Sequence, residues 1–301
     1  MFQNLGEHAF APLPPDDLAA EDRWILSRLS KVIRKVDEEL RAYNPSAAVG
    51  AARDFFWGEL CDWYLEIVKP RMRDEQTAPV ARSILALAFD QVLRLFHPFV
   101  PFITEVLWER LNAQCPIRGI AEPIPTPPLL IAAPWPAPVP EWEDDTVEAE
   151  FATASGLIRA IRDMRAHHGI SPGLKLAVFV KTAEKDAAVL GRLRPLVLHM
   201  ANLESLEAGP GVARPAGASV QVVGNMEIFV PGLVDPVKER ERLTAKRAKL
   251  LEETGKIEAK LGNEGFVARA PADVVEKERR KLGECRSQIE ALDAGLRDIG
   301  S

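Results

Sequence analysis

The chain has 301 residues, of which 47% are hydrophobic and 27% charged, and its formal net charge is −6. This composition excludes a wholly disordered chain, and the length predicts two or three domains with enough residues to bury a core. No apolar run approaches the ~18 residues that cross a bilayer, and the first residues do not resemble a secretory signal, so we expect a cytoplasmic location.

The first third of the chain is predicted to form four helices. Apolar residues at helical spacing indicate helices over residues 17–42, 45–69, 77–97 and from 101 onward. Asn44 and Pro45 provide an N-cap and a first helical residue for the second of them. On that helix the side chains predicted to face the core are Ala52, Phe56, Leu60, Trp63 and Ile67. Four helices with short connections favour an antiparallel bundle.

Residues 116–140 contain nine prolines, which exclude a regular helix. We interpret this segment as an extended strap that lies along the bundle, pinned by Trp135 and Trp142. A fifth helix follows, and its apolar face comprises Val147, Phe151, Ala154, Ile158 and Ile161.

After Gly169 the apolar period changes from that of a helix to that of a strand. Residues 174–180 read as a strand and residues 183–201 as helical. Residues 219–223 and 226–230 flank Gly224 and Asn225, which predicts a hairpin with a two-residue turn. The segment is therefore predicted to be a small α+β subdomain.

The C-terminal segment has heptad spacing on both sides of a loop at residues 262–271. The first set comprises Leu243, Arg247, Leu250, Thr254, Ile257 and Leu261. The second comprises Val275, Glu278, Leu282, Cys285, Ile289, Leu292, Leu296 and Ile299. Two helices around one loop predict an antiparallel helical hairpin, a coiled coil that we call the arm. The overall prediction is a mainly α protein with a bundle over 1–168, an α+β subdomain over 169–235 and the arm over 236–301.

Charge separates the arm from the rest of the chain. From Lys238 to Ser301 there are fifteen bases and thirteen acids, so the arm carries +2 and residues 1–237 carry −8. Mixed charge on the flanks of a coiled coil is usual for a solvated, salt-bridged face, and that alternative stays open. The runs at 246–249 and 279–281 also suit the backbone of a polyanion.

No catalytic or metal-binding motif is found. Cys61, Cys115 and Cys285 are far apart and form no CxxC pair, which disfavours a zinc site or a disulfide framework. His167 and His168 are adjacent, so on a helix they diverge and are poorly placed to share a metal. No nucleophile elbow, P-loop or dinucleotide fingerprint is present, and we expect no catalytic residue in this chain.

The aromatic-rich stretch 55–66 carries more rings than one helix face can bury. Phe55, Trp57 and Tyr64 do not all lie on the face of the predicted core residues. Surplus rings near Arg53, Lys69, Arg71 and Arg73 suit the stacking of unpaired bases. The alternative is that the rings pack under neighbouring helices or under the strap.

Four segments resemble the class I synthetases for valine, isoleucine and leucine. Residues 22–29 (DRWILSRL), 55–66 (FFWGELCDWYLE) and 95–108 (LFHPFVPFITEVLW) are similar to their anticodon-binding domain. Residues 262–271 (GNEGFVARAP) resemble the tip of the coiled-coil arm of the valyl-tRNA synthetases. The chain lacks the family's HIGH and KMSKS signatures, so it resembles the C-terminal third of such an enzyme.

The resemblance implies a chain that positions tRNA(Val) for ATP-dependent attachment of valine by a catalytic core outside it, with ATP and magnesium needed only there. In the bundle we expect tRNA contacts from Arg53, Trp57, Lys69, Arg71 and Arg73. In the arm we expect them from Arg242, Lys246, Lys249, Arg269, Arg279 and Arg280. We also expect a monomer that meets no membrane. Two alternatives remain at this point: a coiled-coil module that binds other proteins, and an intact ligase with a diverged core.

Overall fold

The computed structural model describes residues 2–5, 12–232, 236–262 and 275–283, together with residues 285, 286, 289 and 293. The chain divides into two compact units, one comprising Met1–Ile161 with Ala183–Leu203 and the other Arg162–Thr182 with Glu204–Ser301. Both contain helices, and the second contains a small sheet, so the predicted mainly α class is confirmed. None of the described helices has the length and apolarity that a membrane span requires. The predicted domain boundaries stay a prediction.

The first unit is built on a helical bundle. Its helices are α1 (Ala20–Arg41), α2 (Pro45–Asp54), α3 (Ala78–Phe96) and α4 (Pro101–Gln114). Helix α1 packs on α2 and α3, and α3 packs on α4. The predicted stripe of α1 is buried at Ile25, Leu29, Val32 and Val36. Helix α3 is buried without interruption from Ser83 to Leu95, because neighbours enclose it on most sides.

The aromatic-rich segment after α2 winds as a π-helix over Phe55–Tyr64. The N–H of Leu65 donates to the carbonyl of Leu60, five residues earlier. The wider turn changes which side chains share a face, and it buries Phe55 and Tyr64 together with Leu60. Phe56, predicted to face the core, is only half-buried. That prediction is wrong because it assumed the period of an α-helix.

Residues 116–140 form the strap without any α-helix, as predicted. Side chains of α3 and α4 hold it by donating to carbonyls of its prolines. Arg94 Nη2 donates to Pro125 at 2.7 Å and Nη1 to Pro134 at 3.0 Å, and Trp108 Nε1 donates to Pro127 at 2.9 Å. Trp135, expected to pin the strap, is instead 39% exposed. Helix α5 (Asp145–His167) follows.

In the part of the second unit that the structure describes, four strands form a sheet in the order β2-β1-β4-β3. The strands are β1 (Leu176–Lys181), β2 (Leu203–Gly209), β3 (Ser219–Val223) and β4 (Met226–Val230). The predicted hairpin is present: β3 and β4 are antiparallel, and Gly224 in their turn has a φ of 55°. Strand β4 also pairs antiparallel with β1. Between β1 and β2 the chain forms α6 (Glu184–Arg192) and α7 (Arg194–Met200), which belong to the first unit.

The arm begins with α8 (Pro236–Leu261), and residues 275–283 are again helical. Among the described residues, four ion pairs join α8 to this second helical stretch and to the helical residues 286 and 293 beyond it. Their partners are Arg247–Asp293 at 2.5 Å, Glu253–Lys281 at 2.7 Å, Glu258–Arg286 at 2.7 Å and Lys260–Glu278 at 3.0 Å. Arg247, near the start of α8, pairs with Asp293, the partner farthest along the chain. Lys260, near the end of α8, pairs with Glu278, the partner that comes earliest. The two segments therefore run antiparallel. Predicted heptad positions are buried at Thr254, Ile257, Val275 and Cys285.

Candidate nucleic-acid interface

Arg53 and Trp57 lie one helical turn apart, where α2 passes into the π-helix. Trp57 is 59% exposed, and its ring meets the ring of Phe56 at an interplanar angle of 63°, with centroids 4.8 Å apart. Arg53 is exposed and pairs with its neighbour Asp54 at 2.9 Å, a pair that solvent screens strongly. An open indole face beside an exposed cation can stack a base and contact its phosphate.

Lys69 and Arg73 lie beyond the end of that helix. Lys69 Nζ contacts both carboxylate oxygens of Glu66 at 2.6 Å. Arg73 is exposed and makes no ion pair with any residue in the described part of the chain. Trp57 and Lys69 are twelve positions apart, and the chain between them is helical as far as Ile67, so they lie several helical turns apart. The structure therefore places the bundle candidates in two groups rather than in one cluster.

Arg71 has a different environment from the other four. Its guanidinium donates to Asp22 through both terminal nitrogens, at 2.9 and 2.8 Å, and to Glu21 at 2.8 Å. Asp22 is fully buried and also accepts a hydrogen bond from Tyr64 Oη at 2.7 Å. Burial lowers the pKa of Arg71, but the bonds and charge of Asp22 outweigh burial and raise it. Arg71 thus already has strong partners within the protein.

The arm candidates differ in how much of them is described. Lys249, Arg279 and Arg280 are exposed, and none of the three makes an ion pair within the described ranges. Their neighbours Arg247 and Lys281 belong to the ion pairs that join the two helical stretches. The side chains of Arg242 and Lys246 and the whole of Arg269 lie outside the described residues. The arm thus contains two kinds of cationic side chain: some pair with acidic residues of the arm, and others are exposed to solvent.

A cavity of about 670 Å³ lies between the start of α1 and the strap. Leu13 donates its N–H to the carbonyl of Ile120 at 2.9 Å and so fixes the chain before α1 against the strap. Gly119 has a φ of 151°, and a Cβ there would lie 2.0 Å from the carbonyl oxygen of Glu122. The bend that shapes the cavity therefore requires glycine. Sequence analysis missed this cavity because residues far apart in the chain form its walls.

The structure gives no sign of a metal centre in the residues that it describes. No group of three or more His, Cys, Asp or Glu side chains there is close enough to hold an ion. The rings of His167 and His168 meet edge to face with centroids 5.1 Å apart. Burial raises the pKa of the Cys61 and Cys115 thiols, which disfavours the reactive thiolate at both positions.

Two family models match the chain in succession. Residues 22–180 match the anticodon-binding domain of tRNA ligase, which is more than half of the chain. Residues 235–300 match the valyl tRNA synthetase tRNA binding arm. The first match covers the strap and α1–α5 with β1, apart from the first two residues of α1 and the last residue of β1, and the second covers the arm as far as residue 300.

Curated relatives match the chain over nearly its whole length. A valine–tRNA ligase of Geobacter sulfurreducens is 38% identical over 288 residues, which cover 94% of this chain and 31% of the relative. A valine–tRNA ligase of Thermotoga maritima is 33% identical and covers 99% of this chain and 32% of its own length. One from Geobacillus stearothermophilus is 34% identical, with 98% and 33% covered. The chain therefore spans about a third of the length of these relatives.

Proposed function

The chain belongs to the family of anticodon-binding domains of tRNA ligases, in the form found in the C-terminal region of valine–tRNA ligases, and from this premise we propose that it binds and positions tRNA(Val). The observation that carries the proposal is the succession of the two matched regions, the anticodon-binding domain followed by the arm. Both descriptions name parts of a tRNA ligase that bind tRNA.

We propose a division of labour between the two matched regions. The bundle contacts unpaired bases, with Trp57 as a stacking surface and Arg53, Lys69 and Arg73 near the backbone. Arg71 remains in the proposal as a residue that holds this part of the bundle together. Base contacts determine specificity, because phosphates carry no sequence information.

The arm supplies affinity through phosphate contacts. Lys249, Arg279 and Arg280 face solvent without partners among the described residues, which suits cations that meet a polyanion. Arg242, Lys246 and Arg269 complete the proposed set on the strength of the sequence. Attachment of valine, with its need for ATP and magnesium, is assigned to the parts of a complete ligase that this chain does not match. We further propose that the chain is a cytoplasmic monomer.

Filter binding of the chain to a tRNA(Val) transcript, repeated across salt concentrations, tests the proposal. We expect affinity to fall steeply with salt and to exceed the affinity for an unrelated hairpin RNA of the same length. Equal affinity for both RNAs at every salt concentration would contradict it. Sedimentation at micromolar concentration tests the monomer, and valine-dependent ATP–pyrophosphate exchange is expected to be absent from this chain alone.

A further inference from the structure

The cavity between α1 and the strap has mainly apolar walls, and one of them carries an aromatic ring. Leu18, Leu26, Ile124 and Val139 line it together with the half-buried indole of Trp142. The short turn Pro140–Trp142 holds the backbone that carries the indole, since the N–H of Trp142 donates to the carbonyl of Val139 at 3.0 Å. A flat apolar ligand that stacks on an aromatic ring is the kind of molecule this interior accepts.

The rim of the same cavity carries polar groups of both charges. Arg23 is exposed and, within the described residues, makes no ion pair. The carboxylates of Glu122 and Glu141 are likewise exposed and make no ion pair there. Asp144 is occupied, because its Oδ1 caps α5 by accepting from the N–H groups of Thr146 and Val147. Two carboxylates and one guanidinium therefore remain for a ligand.

These charges select a ligand that has an amine on its planar ring and a negatively charged group attached outside that ring. Glu122 and Glu141 repel phosphate, but they accept hydrogen bonds from the exocyclic amine of adenine, cytosine or guanine. Arg23 suits the phosphate that follows such a base along a strand. Uracil has no exocyclic amine and fits the rim less well.

We propose that this cavity receives one unpaired, amine-bearing nucleobase of the RNA bound by the bundle. Trp142 stacks on the base, Glu122 and Glu141 accept from its amine, and Arg23 contacts its phosphate. The proposal rests on the proposed function, because it assigns a base-binding site within the same RNA complex. It adds residues from the strap and from the start of α1 to those near Trp57.

Filling the cavity is the first test. Leu18→Trp places a second indole inside it, and Trp142→Ala removes the stacking surface. Each variant is expected to weaken tRNA(Val) binding roughly 5- to 150-fold, the range for loss of one stacked base. Leu129→Trp is the matched control, because Leu129 is 57% exposed on the strap and does not line the cavity. Thermal unfolding of every variant checks that the fold is retained, and the control should bind like the parent chain.

The second test addresses the carboxylates and requires no large change of packing. Each adenosine of the anticodon loop is replaced in turn by purine riboside, which lacks the exocyclic amine. At one position we expect roughly tenfold weaker binding to the parent chain, and a much smaller loss with the double variant Glu122→Gln, Glu141→Gln. Parallel replacement of cytidines by a pyrimidinone riboside covers a cytosine at the site.

The outcomes separate this proposal from the proposed function. If the parent chain does not prefer tRNA(Val) over the hairpin RNA, the proposed function fails. If the parent chain does prefer tRNA(Val), but folded Leu18→Trp and Trp142→Ala bind it unchanged, the cavity proposal is overturned and tRNA binding stands. The cavity proposal would also be overturned if every base analogue weakened binding to the parent chain and to the double variant by the same factor.

Discussion

Arg71 and Asp22 form a two-bond ion pair that joins the start of α1 to the turn after the π-helix. Asp22 is fully buried, and its Oδ2 also accepts the N–H of Ala19 at 3.1 Å, so one carboxylate serves both a helix start and a tertiary contact. The guanidinium of Arg71 supplies the positive charge that compensates the buried carboxylate of Asp22. This relationship gives Arg71 a role inside the protein that composition alone did not reveal.

Replacing Arg71 by Met is expected to lower the free energy of unfolding by about 3–5 kcal/mol, because it leaves Asp22 buried without its cation. Chemical denaturation measures the change. Arg73→Met is the matched control, since Arg73 is exposed and should cost no more than about 0.5 kcal/mol. Equal stability of the two variants would show that the Asp22 pair does not hold the bundle together.

Asp90 holds a second buried network beneath the strap. Its carboxylate accepts from Arg94 Nε at 2.6 Å and from Arg118 Nε at 2.8 Å, and it is fully buried. Both guanidiniums also lie over the ring of Trp108, with distances to the ring centroid of 5.1 Å for Arg94 and 4.6 Å for Arg118. Arg94 in turn donates to the strap at Pro125 and Pro134, so the network connects α3 to the strap.

Asp90→Asn is expected to loosen the strap more than the bundle. The change removes the only negative charge that contacts Arg94 and Arg118 among the described residues, and breaking such a buried pair costs about 3–5 kcal/mol. Hydrogen exchange should show faster exchange of the Ile124 amide, which bonds to the carbonyl of Arg118 at 2.7 Å. Amides in the middle of α1 provide the internal reference. Equal acceleration of exchange at the Ile124 amide and at the amides of α1 would mean that the network stabilises the whole unit rather than the strap.

The link between the strap and α5, and the start of α5 itself, are joined to α1 by carboxylates with lowered pKa values. The pKa of Glu143 is lowered by hydrogen bonds from Arg34. Burial raises the pKa of Glu148, but hydrogen bonds from Ser27 and Lys31 outweigh burial, so the net shift is downward. Groups with a lowered folded pKa stabilise the fold fully above their unfolded value, near pH 4, and lose that contribution as the pH falls through the folded value.

The double variant Glu143→Gln, Glu148→Gln should therefore be less stable than the parent chain at neutral pH, and the difference should shrink as the pH falls below about 4. Denaturation curves at a series of pH values give the comparison. Glu109→Gln serves as the control, because Glu109 is exposed on α4 and makes no ion pair within the described residues. A stability difference that stays constant across the series would rule out ionisation as the cause.

The sequence was sufficient for features that depend on short-range pattern. The stripe of α1 and the hairpin at Gly224 were both predicted and are both present. It was insufficient where the pattern itself changes: the π-helix places Tyr64 in the core, where its hydroxyl meets Asp22, 42 residues away. The local sequence does not reveal that the hydrogen-bond period lengthens there.

The candidate site shows the same limit for charged and cavity-lining residues. Arg71 and Arg73 are two residues apart and look equivalent in the sequence, yet one is paired with Asp22 and the other is exposed. The difference depends on a partner 49 residues away. The cavity beside Trp142 was missed for the same reason, because its walls come from the start of α1 and both ends of the strap.

Trp57→Ala separates the proposed RNA contact from stability. The indole is 59% exposed, so its loss should change the free energy of unfolding little, while tRNA(Val) binding should weaken by about 1–3 kcal/mol if a base stacks there. Phe55→Ala is the contrasting variant, because Phe55 is buried and its truncation should cost about 3–5 kcal/mol of stability. Unchanged RNA affinity in folded Trp57→Ala would remove Trp57 from the proposed interface.

The arm offers a comparison between free and paired cations of the same type. Replacing Lys249, Arg279 and Arg280 together by Gln should reduce the slope of log affinity against log salt by about one for each phosphate that the variant no longer neutralises, and it should leave thermal stability nearly unchanged. Lys281→Gln with Arg286→Gln is the control, because these side chains pair with Glu253 and Glu258 within the arm. The control should affect stability more than the salt slope, since its cations are already occupied. Filter binding across salt measures the slopes, and the same slope for both variants would show that phosphates do not distinguish the two sets of cations.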